Sequence, residues 1–301
     1  MDDHRYGDLH VVLLAAPSAS RKVAIMKRVI GRSGTKVVIL VSSIFFALPL
    51  LAMMRFAFQN MGVFDLRWSN VFEKWTFGIV TQPFHDQYFT ESLYLSGKIA
   101  IGTAALTLGM LIPTAIWVHL RVPKARVLVE FLTVLPYVIP AIALVAGIVV
   151  IKPHARWFLN SDLSLIPFYT VLALPFTYRA IDSGLRALDL RTLVDASRNL
   201  GAGWIRTMTR VIIPNIRSAV VSATFLTVAV ALGEFTIANV LLKPTFPPFI
   251  NEYRMREPRS GYALAVLSLL FTVLVFVFLS IALRSPSTKS RQTSTKSREM
   301  P

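Results

Sequence analysis

Asp195-Ala196-Ser197, three further residues, Gly201, nine more, then Val211-Ile212-Ile213-Pro214: this stretch decides the reading of the chain. It is polar, carries arginines, and interrupts a series of uncharged apolar runs. A loop of this length between two such runs is longer than a bare connection needs. Its composition suits a surface gripped by another protein.

The surrounding composition says what the runs are. Of 301 residues 54% are hydrophobic and only 16% charged. A soluble chain carries about a quarter charged residues, so the apolar excess must face lipid or fill a bundle. The net charge of +16 is strung along loops and tails, where membrane topology places it, and is not a nucleic-acid signature. There is no cysteine, which excludes disulfides, a thiol nucleophile and thiolate metal sites.

Uncharged runs place six membrane spans in an all-α, polytopic fold. They are Val37 to Met54, Ile99 to Val118 (extended outward to about Leu93), Phe131 to Ile151, Leu163 to Tyr178, Ser218 to Leu242 and Ser260 to Leu283. A crossing needs about 20 apolar residues; the fourth run is the shortest and borrows Arg179 to Ile181 by snorkelling. Pro136 and Pro140 predict a kink or unwinding in the third span. Lysines and arginines number twenty-two on the side of the termini and the 195–214 loop, against eight on the other. By the positive-inside rule both termini and the loop are cytoplasmic.

The expected organisation is a cytoplasmic tail (1–36), a first transmembrane helix (37–58), an extracytoplasmic segment (59–92), a transmembrane core (93–283) with a loop at 183–215, and a disordered cytoplasmic tail (284–301). Trp68, Trp75 and Tyr88 suit a membrane interface on the outer side. The opening Met1-Asp2-Asp3 is acidic where a secretory signal is basic, and Val11 to Ala16 is too short to span. Translation from Met1 and from Met26, ahead of Lys27-Arg28, both stay open.

Within the loop, Thr192 is expected to cap a first helix, with Asp195 in its first turn. Leu193, Val194, Ala196 and Leu200 form its apolar face. Gly201 fits the left-handed position that ends a helix. A second segment, Trp204 to Ile213, carries Trp204, Met208 and Val211 at helical spacing, and Pro214 stops it. Two short helices joined at a glycine bend make a stiff unit.

Asp195-Ala196-Ser197, Gly201, Val211, Ile213 and Pro214 stand at the spacing of the "EAA" loop, and the chain resembles permease subunits of binding-protein-dependent ABC importers, type I. That family reads Glu-Ala-Ala, Gly after three residues, and Ile-x-Leu-Pro after nine more. Asp for Glu, Ser for Ala, Val for Ile and Ile for Leu depart from it mildly. The resemblance covers about residues 93 to 283. It implies that the loop docks on an ATP-binding subunit, present in two copies, and couples ATP hydrolysis to alternating access. It further implies a second permease subunit, expected to be a different chain, an extracytoplasmic substrate-binding protein, and the plasma membrane of a prokaryote. No Gly-x-x-x-x-Gly-Lys-Ser/Thr loop is present, so ATP and Mg belong to the partner. No cofactor is expected on this chain.

Leu135-Pro136-Tyr137-Val138-Ile139-Pro140 and Leu232-Gly233-Glu234-Phe235 resemble the polyamine, ferric-iron, thiamine and aminoethylphosphonate branch, with spermidine/putrescine favoured. Glu234 lies inside the fifth span, where an ionisable residue is costly and functional by default. Two readings stand: an ion pair with Lys98 at matched depth, or a translocation-path residue meeting a cation beside Phe225 and Phe235. Lys98, Glu234, Phe235, Pro136 and Pro140 are therefore the path candidates. Asp182 reads as a helix-end charge beside Arg179 and Arg186. An enzyme is disfavoured, since the five histidines are scattered and no paired intramembrane carboxylates exist. An ATP-independent secondary transporter would leave the loop spacing without a purpose.

Overall fold

The computed structural model describes residues 32–61 and 67–282. The expectations for the Met1/Met26 start, for most of the N-terminal tail and for the 284–301 tail lie outside the described residues. The chain divides after Arg55 into two units. The first holds all but the last three residues of helix α1 (Arg32–Phe58), which is apolar on every side and exposes residues 34–52. A helix hydrophobic all round needs an apolar surrounding such as lipid.

The second unit is helical. Its elements are α2 (Gln87–Arg121), α3 (Arg126–Val138), α4 (Ala141–Ile151), α5 (Leu165–Arg186), α6 (Leu190–Asn199), α7 (Trp204–Thr207), α8 (Arg217–Gly233), α9 (Thr236–Val240), α10 (Phe246–Arg256) and α11 (Pro258–Ala282). Among the described residues, Gly34–Phe58, Gln87–Arg121, Arg217–Val240 and Pro258–Val277 are long and apolar enough to cross a membrane. The expected third span is not one helix. It is α3 and α4, bent by 81°, because Ile139 ahead of Pro140 takes the extended φ −78°, ψ 125° that a following proline imposes. The expected fourth span is α5, which runs on to Arg186. Its tyrosines, threonines, Arg179 and Asp182 make it less apolar than the other spans, and it is enclosed, with Tyr169, Tyr178 and Ile181 at 0–1% exposure.

Helices α2, α5 and α8 pack on one another and form the bundle's centre. Helix α2 has 35 residues, about 52 Å of rise. Close approach rests on small side chains, as it does where lipid supplies no hydrophobic drive between helices. A Cβ on Gly184 would lie 2.3 Å from the Cβ of Ala219, so α5 and α8 touch through a glycine. Buried hydroxyls join the helices too. Thr177 and Thr227 meet at 2.6 Å across α5 and α8, and Thr107 and Thr170 at 3.3 Å across α2 and α5.

The centre resolves into two apolar clusters. One collects Ile99, Leu165, Tyr169, Leu172 and Ala231 with Val145 and Ile148 of α4 and Ile237 and Ala238 of α9. The other collects Leu111, Ile116, Tyr178, Ile181 and Leu185 with Leu190 and Val194 of α6 and Ile212 and Ile216. The two broken spans thus meet in one cluster, and the loop is built into the other.

Asp182 lies in the second region and is no simple helix-end charge. It is 4% exposed and faces Arg126 Nε at 2.6 Å, Arg186 Nη2 at 2.5 Å and His119 Nε2 at 3.3 Å. Arg179, expected beside it, pairs with Glu130 instead at 3.3 Å. One carboxylate therefore ties α2, the start of α3, and α5 together. Asp182→Asn leaves two guanidiniums facing each other without a counter-charge. It should cost about 2 to 3 kcal/mol, below the full range for a buried pair because Arg186 is half exposed. Thermal unfolding of the purified protein should show a clear fall in midpoint; an unchanged midpoint would contradict this role.

Candidate functional site

Two places carry functional geometry, and they lie at opposite ends of the α2–α5–α8 centre. The first is the loop. Its cap is Asp189, not Thr192: the Asp189 carboxylate accepts from Thr192 N at 3.3 Å and from Thr192 Oγ1 at 2.8 Å. Those hydrogen bonds hold the Asp189 carboxyl below the usual carboxylate range. The cap is therefore in place above that range and is lost as pH falls through the lowered value. The earlier start shifts the buried face to Leu190, Val194 and Ser197, at 5–7% exposure. Leu200, expected on the inner face, is 88% exposed.

Gly201 has φ +79° and closes α6 as the sequence predicts. Gly201 N donates to Arg198 O at 2.8 Å and Ala202 N to Ser197 O at 3.0 Å, the paired bonds of a Schellman ending. The second segment departs from plain helix. After α7 comes a π turn, Met208–Ile212, then the turn Ile213–Asn215. Pro214 does not end the helical course; it lies within it. Its missing N–H removes a ladder bond, and Asn215 Nδ2 donates to Val211 O at 2.7 Å. The five-residue spacing of a π turn puts Thr207 and Ile212 on one buried face, so Trp204, at 40% exposure, is not its anchor.

Ser197 then joins the two halves. Its hydroxyl donates to Val194 O at 3.0 Å, and its oxygen lies 2.8 Å from Thr207 Oγ1. The alanine expected at this position from the resemblance could not make that bond. Asp195 and Ala196 are exposed, as are Leu200 and Ile205. The loop therefore has a pinned inner side and a free outer side with apolar and acidic groups.

The second place is a cavity of about 560 Å³ where the two broken spans face each other, lined by Tyr137, Ile139, Pro140, Leu172, Val230, Gly233, Glu234, Phe235 and Thr236 among others. Helix α8 stops at Gly233, Glu234 takes the extended φ −76°, ψ 120°, and α9 begins at Thr236. The Glu234 carboxylate turns onto α9. It accepts from Ile237 N at 3.0 and 3.1 Å and from Ala238 N at 3.4 Å, supplying acceptors to amides that a helix start leaves unpaired. Beyond α9, Lys243 is 7% exposed and donates to Asn160 O at 3.0 Å, Ser161 O at 3.1 Å and Asp162 Oδ1 at 3.1 Å. A buried lysine needs such partners, and these fasten the end of α9 to the segment ahead of α5.

Of the sequence-predicted path residues, Glu234, Phe235 and Pro140 meet in the cavity; Pro136 lies one turn back in α3. Lys98 does not pair with Glu234. It is exposed and stands 4.4 Å over the Tyr94 ring, because Ile99 and Ala100 take the inward face of α2. Phe225 is not beside Glu234 either, packing on Phe276 at 5.5 Å. Tyr137, which stacks edge-on against Phe176 at 5.1 Å, is the aromatic that sequence reasoning missed.

Residues 105–286 match the profile of the binding-protein-dependent transport system inner membrane component family. The spermidine/putrescine transport system permease protein PotB of Haemophilus influenzae is 29% identical over 175 residues, 53% of this chain and 59% of that protein. The molybdate/tungstate transport system permease protein WtpB of Thermococcus kodakarensis is 24% identical over 209 residues, 67% of this chain and 81% of that protein. The crystal structure of a bacterial ABC transporter involved in the import of the acidic polysaccharide alginate contains a similar fold. One of its chains aligns with a TM-score of 0.65 at 15% identity, over 88% of this chain and 99% of that one.

The backbone at Gly201, rather than space, limits substitution there, since a Cβ would meet nothing within 4 Å. A non-glycine residue in the left-handed region costs about 1 to 2 kcal/mol, with asparagine the mildest. Gly201→Asn should leave the thermal unfolding midpoint of the purified protein nearly unchanged, while Gly201→Val should lower it. Equal midpoints in both variants would contradict the assigned bend.

Proposed function

The chain belongs to the binding-protein-dependent transport system inner membrane component family, and from that membership we propose a specific role within an importer. It forms part of the translocation path for a small organic cation of the polyamine class, and its bent loop receives the stroke of a separate ATP-binding subunit. At the level of the family it is a multi-pass membrane permease subunit of an ABC importer.

The observation that carries the proposal is the connection of loop and cavity through shared helices. Leu190 and Val194 of α6 pack with Tyr178, Ile181 and Leu185 of α5. The same α5 lends Leu165, Tyr169 and Leu172 to the cluster beneath the cavity. A push on α6 is thereby a push on α5, which packs along α8, the helix that ends at the second break. In this reading the loop is cytoplasmic and both termini share its side. The exposed Asp195, Ala196 and Leu200 meet the ATP-binding subunit. A second permease chain closes the open side of the cavity, and a substrate-binding protein delivers cargo from the opposite face.

Charge favours a cationic cargo. Glu234 is the one charged side chain lining the cavity among the described residues, with Tyr137 and Phe235 offering π faces. The similarity to PotB points the same way. A tetrahedral oxyanion, the cargo named for WtpB, would meet a carboxylate here and no cation.

Glu234→Gln separates charge from structure. The amide oxygen still accepts from Ile237 and Ala238, so α9 stays capped and the complex assembles. Uptake of radiolabelled spermidine should fall at least several-fold. Glu234→Ala removes the cap as well and should also lower the yield of assembled complex. Unchanged spermidine uptake by Glu234→Gln would remove the charge from the account.

A further inference from the structure

We infer that the Tyr169 hydroxyl forms a hydrogen bond to the Glu234 carboxylate as α5 moves, and that this bond discharges the cargo. Tyr169 is 1% exposed. Its ring lies where α2, α4, α5, α8 and α9 meet, among Ile99, Val145, Ala231, Ile237 and Ala238. Leu172, one turn on, lines the cavity itself. The Tyr169 hydroxyl oxygen is buried and has no hydrogen bond of regular geometry among the described residues. The acidic group that acts on it, both as a charge and as an acceptor, is Glu234. Donor and acceptor are therefore neighbours, but misaligned.

A buried hydroxyl left unbonded is costly, and more so in a low-dielectric surrounding. The carboxylate has capacity to spare. It offers about four acceptor positions. Ile237 N contacts it at 3.0 and 3.1 Å, and Ala238 N stands at a long 3.4 Å. A small slide of α5 against α8 and α9 aligns the pair into a charge-assisted bond. Helix α5 is also the one that carries the loop: Tyr178, farther along it, packs with Leu190 and Val194. A displacement at the loop is thereby read at Glu234. A carboxylate that gains a donor holds an ammonium less strongly, because donor and cation share its charge. Tyr169 is thus a positioning residue, acting on cargo through Glu234. The inference rests on Glu234 lining the path, as proposed above, and not on which cation passes.

The test uses the assembled importer and has two arms. In the first, Tyr169 is replaced by meta-fluorotyrosine, whose fluorine-NMR shift reports on the neighbouring hydroxyl. Spectra are recorded without nucleotide and with ATP trapped, with Glu234 in place and in Glu234→Gln. With Glu234 in place the two nucleotide states should give two separate shifts. The separation should narrow to about half in Glu234→Gln, since a bond to a neutral amide oxygen is roughly half as strong as one to a carboxylate. One shift for both nucleotide states overturns the inference, and so does a separation that Glu234→Gln leaves intact. This arm needs no cargo, so it decides the inference even if wild type moves no spermidine and the polyamine reading falls. The second arm is Tyr169→Phe, which keeps the ring. Its assembly and unfolding midpoint should match wild type. Its kcat for spermidine uptake should fall about tenfold, the worth of one bond to a charged group, with KM no higher. A raised KM at unchanged kcat would make Tyr169 part of the binding wall and contradict the discharge role.

Discussion

A backbone that leaves its helix inside a bilayer must find hydrogen-bond partners within the protein. Two of this chain's apolar segments break in this way, at Ile139–Pro140 and at Glu234–Phe235, and the structure depends on how those breaks are tolerated. Proline removes one donor outright at the first. At the second, the Glu234 carboxylate supplies the acceptors that the first amides of α9 lack. The breaks face each other across a cavity, which is where irregular backbone can stand without contacting lipid. A charge that is costly in the membrane is thus stabilised by local amides and still borders open space.

The bundle around the cavity is tied together by close helix contacts and buried polar pairs. Gly184 lets α5 and α8 touch, a threonine pair fastens α5 to α8, and another fastens α2 to α5. At the loop end, Asp182 gathers Arg126, Arg186 and His119 from three segments. Ser197 and Thr207 lock the two halves of the loop to each other. A stiff loop fixed to rigid helices passes displacement on; a loosely tethered one would absorb it. The residues left outside these contacts are on the outer face of α6, where a partner can reach them.

Much of this was legible in the sequence. The spacing from Asp195 to Pro214 located the bent pair, Gly201 announced its left-handed turn, and Pro136 and Pro140 announced a broken span. The misses have specific causes. Thr192 and Asp189 are both good caps, and local pattern does not rank them; the buried face did, by recruiting Leu190. The π turn at Met208–Ile212 shifts the helical register by one residue, so a period of 3.6 picked Trp204 where packing picked Thr207. Lys98 and Glu234 agree in depth along their helices, but depth says nothing of rotation, and Lys98 points away. The Asp182 cluster joins residues 56 and 63 positions apart, a separation no local window sees.

The central claim is that the cavity between the two breaks is the path and that nucleotide controls its opening. The chain has no cysteine, so single cysteines report cleanly. Phe235→Cys and, as a lipid-facing control, Leu274→Cys would be reacted with a charged, membrane-impermeant thiol reagent in the assembled importer, without nucleotide and with ATP trapped. The account predicts that Cys at 235 reacts quickly in one state and slowly in the other, while 274 stays slow in both. A rate at 235 that is the same in the two states, or as slow as at 274 throughout, would contradict it.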